Sequence, residues 1–198
     1  VGRPRPHVVG ASLGGLAAIV AAGMFARDAF ESVTLVDITP NMDAAGVTKV
    51  VGFMGAHVKE GFASLEQAAD VVATYLPHRP RPKDLEGLRK NLRQGEDGRW
   101  RWHWDPAFIT GVTRRSGVAR TSELEQAVRN IRVPLHLIRG RMSELVTEDS
   151  VAAFRSLAPR AHFTDVAGAR HMVAGDCNDL FVEAVVSFLR PIREQTPA

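Results

Sequence analysis

The sequence predicts an α/β protein built around a parallel sheet, and three observations lead to this prediction. A short apolar segment at 7–10 runs into a glycine-rich turn and then into a stretch of small, helix-forming residues at 13–27. A segment rich in β-branched residues follows at 32–37, and strand, helix and strand at this spacing form a right-handed parallel unit. The alternation returns in the second half, where strands are predicted at 133–139 and 161–166.

Each predicted helix of the α/β part has its own signal. Residues 177–189 repeat apolar side chains at intervals of three and four, as a helix with one buried face does. Glu148 and Asp149 stand in the first turn of the preceding helix, where negative charge is favourable against the macrodipole. The helices of this part are predicted at 13–27, 122–130, 148–157 and 177–189.

Residues 41–109 differ in character from the rest of the chain. Ser64 and Gln67 have the spacing of an N-terminal capping box, and helical periodicity surrounds them. The sequence therefore predicts a helical lid at 41–109, inserted into an α/β core of residues 1–40 and 110–198. Helices are predicted at 45–57, 64–76 and 84–92, followed by a turn at 95–98 and an alternating segment at 99–105.

Composition excludes several classes of function. The chain has 198 residues, 45% hydrophobic and 24% charged, which suits one globular domain with an insertion. Net charge is only +3, and the basic segment at 78–83 is broken by prolines, so nucleic acid is not an expected partner. The single cysteine, Cys177, and histidines without ligand spacing predict neither a disulfide framework nor a metal site. No apolar run has membrane-spanning length and no leader is evident, so a cytoplasmic location without membrane binding is expected.

The turn after the first strand is the leading candidate for chemistry. Ser12 stands between Gly10 and Gly14 in a Gly-x-Ser-x-Gly pattern, with a strand before it and a helix after it. This context forces a sharp, strained turn that exposes the serine hydroxyl at the carboxyl edge of the sheet. The N–H of Leu13, at the start of the helix, is then the predicted oxyanion donor. The alternative is a glycine-rich strand–helix turn without catalytic function, of the kind that binds phosphate.

The order of residues downstream favours the catalytic interpretation. A serine hydroxyl needs a base within hydrogen-bond reach, and the base needs an acid to orient it. Glu144 follows the third predicted strand and His171 follows the fourth, so both reach the edge that carries Ser12. Glu144 is the predicted acid and His171 the predicted base. Asp37, at the end of the second strand, is an equally well placed alternative acid.

These residues together resemble the α/β-hydrolase superfamily over essentially the whole chain. The likeness is greatest to small bacterial cofactor-free haloperoxidases, esterases, lactonases and epoxide hydrolases. It implies a triad in the order serine, acid, histidine, with a lid between the sixth and seventh strands of the family's sheet. The acid position usually carries aspartate in this family, whereas here it carries Glu144. The segments that carry the resemblance are 10–15, 36–40, 139–146 and 168–176.

The resemblance also implies that this chain holds only the C-terminal part of the fold, strands 5 to 8. Only eleven residues precede Ser12, whereas family members place several strands before the nucleophile. The first strand would then be an apolar, unpaired edge that favours self-association. The second oxyanion donor would also be missing, which costs on the order of 10²–10³-fold in rate. We therefore expect this chain by itself to be poorly soluble and nearly inactive.

The function predicted from the sequence is a serine hydrolase that cleaves a small ester or lactone through an acyl-enzyme on Ser12. No cofactor is predicted, and the expected partner is a small-molecule substrate. A serine nucleophile argues against the dehalogenase and epoxide-hydrolase branches, which the resemblance associates with aspartate. Two alternatives stay open: a cofactor-free perhydrolase or haloperoxidase that uses the same triad, and a non-catalytic hydrolase fragment that acts as a binding module.

Overall fold

The computed structural model describes residues 5–81, 83–107, 109 and 118–195. It divides into two compact units, a core unit of Val1–Val47 with Gly117–Ala198 and a second unit of Thr48–Ser116. In chain order the elements are β1 (His7–Ala11), α1 (Leu13–Val20), β2 (Ser32–Val36), α2 (Ala44–Gly55), α3 (Leu65–Tyr75), α4 (Glu86–Arg89), β3 (Leu92–Gln94), β4 (Trp100–Trp102), α5 (Val118–Asn130), β5 (Leu135–Gly140), α6 (Glu148–Leu157), β6 (His162–Val166), α7 (Val173–Asp176) and α8 (Asn178–Gln195).

The core unit is built on a parallel sheet in the order β1-β2-β5-β6. Every residue of β2 and β5 is buried, because these central strands have a strand on each side and helices over both faces. One layer, formed by α1, α5 and α6, packs apolar side chains such as Ile19, Val128 and Phe154 against the sheet. The other layer, from the end of β6 to α8, contributes Val173 and Ala184. The predicted α/β class is confirmed.

Most predicted elements of the core unit are present, with shifted ends. The first predicted helix ends as α1 at Val20 and continues as one π-helical turn over Ala21–Phe25. The last helix runs on to Gln195, past Pro191, where the prediction ended it at 189. No helix among the described residues is long and apolar enough to cross a membrane.

The start of α2 belongs to the core unit, so the two units divide later in the chain than the sequence predicted. The N–H of Asp43 donates to the carbonyl oxygen of Leu145 at 3.0 Å, which ties this segment to the loop after β5. The second unit accordingly begins at Thr48 rather than at 41. Its role as a lid remains a prediction from the sequence.

The second unit combines helices with a small antiparallel hairpin. Ser64 caps α3 as predicted, because its hydroxyl accepts from the N–H of Gln67, while the Gln67 side chain accepts from the N–H of Ala63 rather than from that of Ser64. The helix predicted at 84–92 is present but shorter, since α4 has only four residues and β3 begins at Leu92. The alternating segment at 99–105 supplies β4, whose Trp102 stacks on Trp104 with ring centroids 4.5 Å apart.

A histidine is buried in the core of the sheet. His136, in the central strand β5, is 1% exposed and its Nε2 lies 2.9 Å from Thr164 Oγ1. The ring packs against Phe188 with centroids 4.6 Å apart. Burial, with a smaller contribution from the neighbouring His162, lowers the pKa of His136 from its ordinary 6.5 to about 4.

This histidine should make the fold sensitive to mild acid. Below pH 6.5 the unfolded chain protonates His136 while the folded chain does not, down to its pKa of about 4. His136 therefore lowers the free energy of unfolding by about 3 kcal/mol as pH falls from 7 to 4. The stability returns as pH rises again. Urea unfolding at pH 7 and at pH 4 should show that the free energy of unfolding falls by about 3 kcal/mol less in His136→Gln than in the parent chain. His103→Gln, at an exposed histidine, should show the same fall as the parent, and an equal fall in the parent chain and His136→Gln would contradict the assignment.

Candidate active site

Ser12 occupies a strained turn between β1 and α1. Its φ of 48° and ψ of −118° lie in a region that non-glycine residues rarely adopt. The turn is held by its backbone, because the N–H of Ser12 donates to Val36 O and its own carbonyl accepts from the N–H groups of Gly15 and Leu16. A Cβ on Gly10 would lie 2.6 Å from the carbonyl oxygen of Gly14, so the first glycine is required for the turn to close.

The turn presents its polar groups at the carboxyl edge of the sheet. Leu13 is the first residue of α1, so its N–H is among those that a helix leaves without an intrahelical acceptor. Ser12 is half-buried, and Leu13 is 53% exposed. The hydroxyl and a backbone donor are therefore adjacent, as a nucleophile and an oxyanion donor must be.

Asp37 directly follows β2 and is fully buried. Its φ of 49° turns the chain sharply, and its N–H donates to Ile138 O at 2.7 Å. One carboxylate oxygen, Oδ1, accepts from the N–H of Gly140 at 3.0 Å, and the other, Oδ2, accepts from the Ser143 hydroxyl at 2.6 Å. Both oxygens of this buried carboxylate therefore have a hydrogen-bond donor.

His171 lies in the loop of residues 167–172 between β6 and α7 and contacts Asp37. Its Nδ1 is 2.8 Å from Asp37 Oδ2, and its side chain is 16% exposed. Because the acceptor is a carboxylate, Nδ1 carries the proton and Nε2 is the ring nitrogen left for a substrate or nucleophile. The loop is anchored by the N–H of Arg170, which donates to the Asp176 carboxylate at 2.8 Å, and by Ala169 O, which accepts from the N–H of Met142 at 2.9 Å.

The hydrogen bond found for Glu144, the acid predicted from the sequence, is to a residue other than His171. Its carboxylate instead accepts from the Arg170 guanidinium at 2.9 Å, and its side chain is 40% exposed. The loop after β5 turns so that Ser143 faces Asp37 while Glu144 faces Arg170. The structure therefore pairs the histidine with the alternative acid, Asp37. Among the described residues, no three His, Cys, Asp or Glu side chains are grouped as metal ligands.

Ser12 and His171 flank the end of β2. The N–H of Ser12 binds the carbonyl of Val36, and the next residue, Asp37, binds the His171 ring. Among the described residues the serine hydroxyl and the imidazole form no direct hydrogen bond. In enzymes without bound substrate such a bond is often long and shortens only when substrate is present.

Sequence reasoning missed the two groups that hold Asp37, which are the N–H of Gly140 and the hydroxyl of Ser143. A signal existed, because Gly140 and Ser143 have the spacing of a turn, and the Ser143 N–H donates to Gly140 O at 2.8 Å. What that turn faces could not be read from its residues.

Comparisons with known proteins find hydrolases among the relatives of this chain. No protein-family model matches the chain. The esterase Rv0045c of Mycobacterium tuberculosis is 29% identical over 185 residues, covering 90% of this chain and 58% of that protein. The 2-(acetamidomethylene)succinate hydrolase of Mesorhizobium japonicum is 26% identical over 190 residues, covering 94% of this chain and 65% of that protein. The chain thus spans about three fifths of the length of these curated relatives.

Solved structures show the same fold. A crystal structure of E-2-(acetamidomethylene)succinate hydrolase superposes with a TM-score of 0.77 at 24% identity, over 95% of this chain and 68% of that one. A structure of the Mycobacterium tuberculosis esterase Rv0045c superposes with a TM-score of 0.68 at 30% identity, over 93% of this chain and 62% of that one. The parallel sheet, the strained serine turn and these relatives together show that the chain belongs to the α/β-hydrolase superfamily.

Proposed function

We propose that the protein is a serine hydrolase in which Ser12 is the nucleophile, His171 the general base and Asp37 the acid that orients it. The observation that carries this proposal is the 2.8 Å contact between His171 Nδ1 and the buried carboxylate of Asp37, the residue that follows Val36, whose carbonyl binds the N–H of Ser12. Ionised aspartate at this position selects the ring tautomer whose Nε2 can accept a proton.

The proposed reaction proceeds in two steps. Ser12 Oγ attacks the ester carbonyl while His171 Nε2 takes the hydroxyl proton, and the carbonyl oxygen becomes an oxyanion near the N–H of Leu13. The proton then passes from His171 to the departing alkoxide, which leaves as an alcohol. In the second step His171 deprotonates a water, the water attacks the acyl-enzyme, and Ser12 recovers its proton as the acid leaves. Asp37 stays ionised throughout and stabilises the imidazolium.

The proposed substrate is a small carboxylic ester or lactone with an apolar part. Three apolar side chains beside the proposed machinery are about half exposed: Leu13 at 53%, Met142 at 50% and Met172 at 46%. Leu13 and Met172 directly follow the proposed nucleophile and base, so an apolar group bound near the reacting carbonyl would cover them. One relative is named an esterase, and the other is named for its hydrolysis of 2-(acetamidomethylene)succinate.

A fluorophosphonate probe tests the assignment of the nucleophile. Covalent labelling needs only one event per molecule, so it reports an activated serine even if turnover is slow. Mass spectrometry should find the adduct on Ser12, and the adduct should be absent from Ser12→Ala and His171→Ala. Ser150→Ala, which removes a buried serine hydroxyl at the start of α6, should be labelled like the parent chain. A folded parent chain that takes no label would refute the serine-hydrolase proposal and favour the binding module.

A further inference from the structure

We propose that Ser143 is a positioning residue that holds the carboxylate of Asp37 in the orientation His171 requires. This inference rests on the proposed function, because it assigns Ser143 a role through the acid of that triad. Ser143 itself is 9% exposed, and among the described residues it forms no hydrogen bond with Ser12 or His171.

The direction of the Ser143 hydroxyl follows from its partners. Its Oγ accepts from the N–H of Leu145 at 3.1 Å and from the N–H of Val146 at 3.2 Å. A hydroxyl has two acceptor lone pairs and one proton, so both lone pairs are occupied. The proton must then be donated to Asp37 Oδ2, 2.6 Å away. Ser143 is therefore a donor with one direction, unlike a water or an exposed hydroxyl that can rotate.

The carboxylate of Asp37 is consequently held at both oxygens. Gly140 N–H fixes Oδ1, and Ser143 fixes Oδ2, the same oxygen that receives His171 Nδ1–H. Without the Ser143 hydroxyl, only the histidine would restrain Oδ2, and that ring lies on a loop. Precise catalytic geometry depends on such supporting hydrogen bonds to the side chains that carry out the reaction.

A merely structural role is the competing explanation, since Ser143 also satisfies two buried N–H groups. Both roles predict lower stability for Ser143→Ala, because those N–H groups lose their acceptor. Only the positioning role predicts a change in the hydrogen bond between His171 and Asp37. That bond has its own spectroscopic signature, the low-field proton resonance of Nδ1–H.

The experiment compares Ser143→Ala, Ser143→Cys and Ser143→Thr with Ser150→Ala as a matched control. Ser150 is a buried serine of the same unit, 5% exposed, that makes its hydrogen bonds to Thr147 instead of Asp37. Proton NMR follows the His171 resonance, and kinetics with 4-nitrophenyl acetate give kcat and KM. Ser143→Ala should broaden or lose the resonance and lower kcat by about tenfold with little change in KM. Ser143→Thr, which keeps a hydroxyl, and Ser150→Ala should keep both the resonance and kcat.

If Ser143→Ala does not fold, Ser143→Cys decides the matter, because a thiol has a similar shape but is a weak donor. A parent-like resonance and kcat in Ser143→Ala, or in Ser143→Cys where Ser143→Ala does not fold, would overturn the positioning role. The NMR result is independent of turnover, so it separates this inference from the proposed function. If the parent chain shows the resonance but takes no fluorophosphonate label, and Ser143→Ala loses the resonance, the positioning role is upheld and the hydrolase proposal is refuted.

Discussion

Replacing Asp37 by asparagine is expected to lower kcat/KM for an activated ester by about 10⁴-fold. The amide has the size of the carboxylate, so no cavity is formed, although its NH₂ group meets one of the two donors, Gly140 N–H or the Ser143 hydroxyl, that now bind the carboxylate. It carries no charge to stabilise the imidazolium, and its NH₂ group favours the histidine tautomer with the proton on Nε2, which cannot accept the serine proton.

Glu144→Gln is the matched variant, because it makes the same chemical change at the acid that the sequence predicted. Its carboxylate is 40% exposed and is paired with Arg170, so losing the charge should change kcat/KM by less than about fivefold. Steady-state kinetics on the two purified variants, with circular dichroism to verify folding, make the comparison. If Glu144→Gln were the more damaging change, Asp37 would not be the acid.

Replacing Gly140 by alanine is expected to damage both the fold and the site. A Cβ at this position would lie 2.1 Å from the carbonyl oxygen of Arg170 and 2.8 Å from that of Ala169, and both are backbone atoms. The loop that carries His171 must therefore move away from β5. Overpacking of this kind costs about 1–3 kcal/mol of stability, and a shift of about 1 Å in a catalytic group costs about 10²-fold in rate.

The check is urea unfolding together with the rate of fluorophosphonate labelling at Ser12. Gly52→Ala is the control, since a Cβ on Gly52 meets no heavy atom within 4 Å and alanine is the better residue inside α2. We expect it to match or exceed the parent in stability and to be labelled at the parent rate. Normal stability and labelling in Gly140→Ala would show that the loop does not pack against β5 as closely as the structure has it.

Local sequence determined the serine turn. Gly10, Ser12 and Gly14 are neighbours in the chain, with a strand before them and a helix after them, so the turn depends on nearby residues only. The loop after β6 was predicted for a similar reason, because it follows a recognisable strand directly. In the second unit, by contrast, local periodicity predicted a helix at 84–92, and only the four residues of α4 within it are helical. Leu92, the last residue of that prediction, pairs with Trp102 in the hairpin, and local periodicity does not specify such a pairing.

Which acid meets the histidine was decided by tertiary structure alone. Asp37 and Glu144 both follow strands of the sheet, so position in the chain does not distinguish them. Their difference arises from contacts across 134 residues for Asp37 and across 26 for Glu144. The turn between Gly140 and Ser143 directs the serine hydroxyl toward Asp37, and the ion pair with Arg170 holds Glu144 at the surface. The sequence by itself determined the α/β class and where the serine and the histidine lie along the chain. Only the packed structure could decide which carboxylate is buried against the imidazole, because burial and side-chain direction depend on neighbours that are distant in the chain.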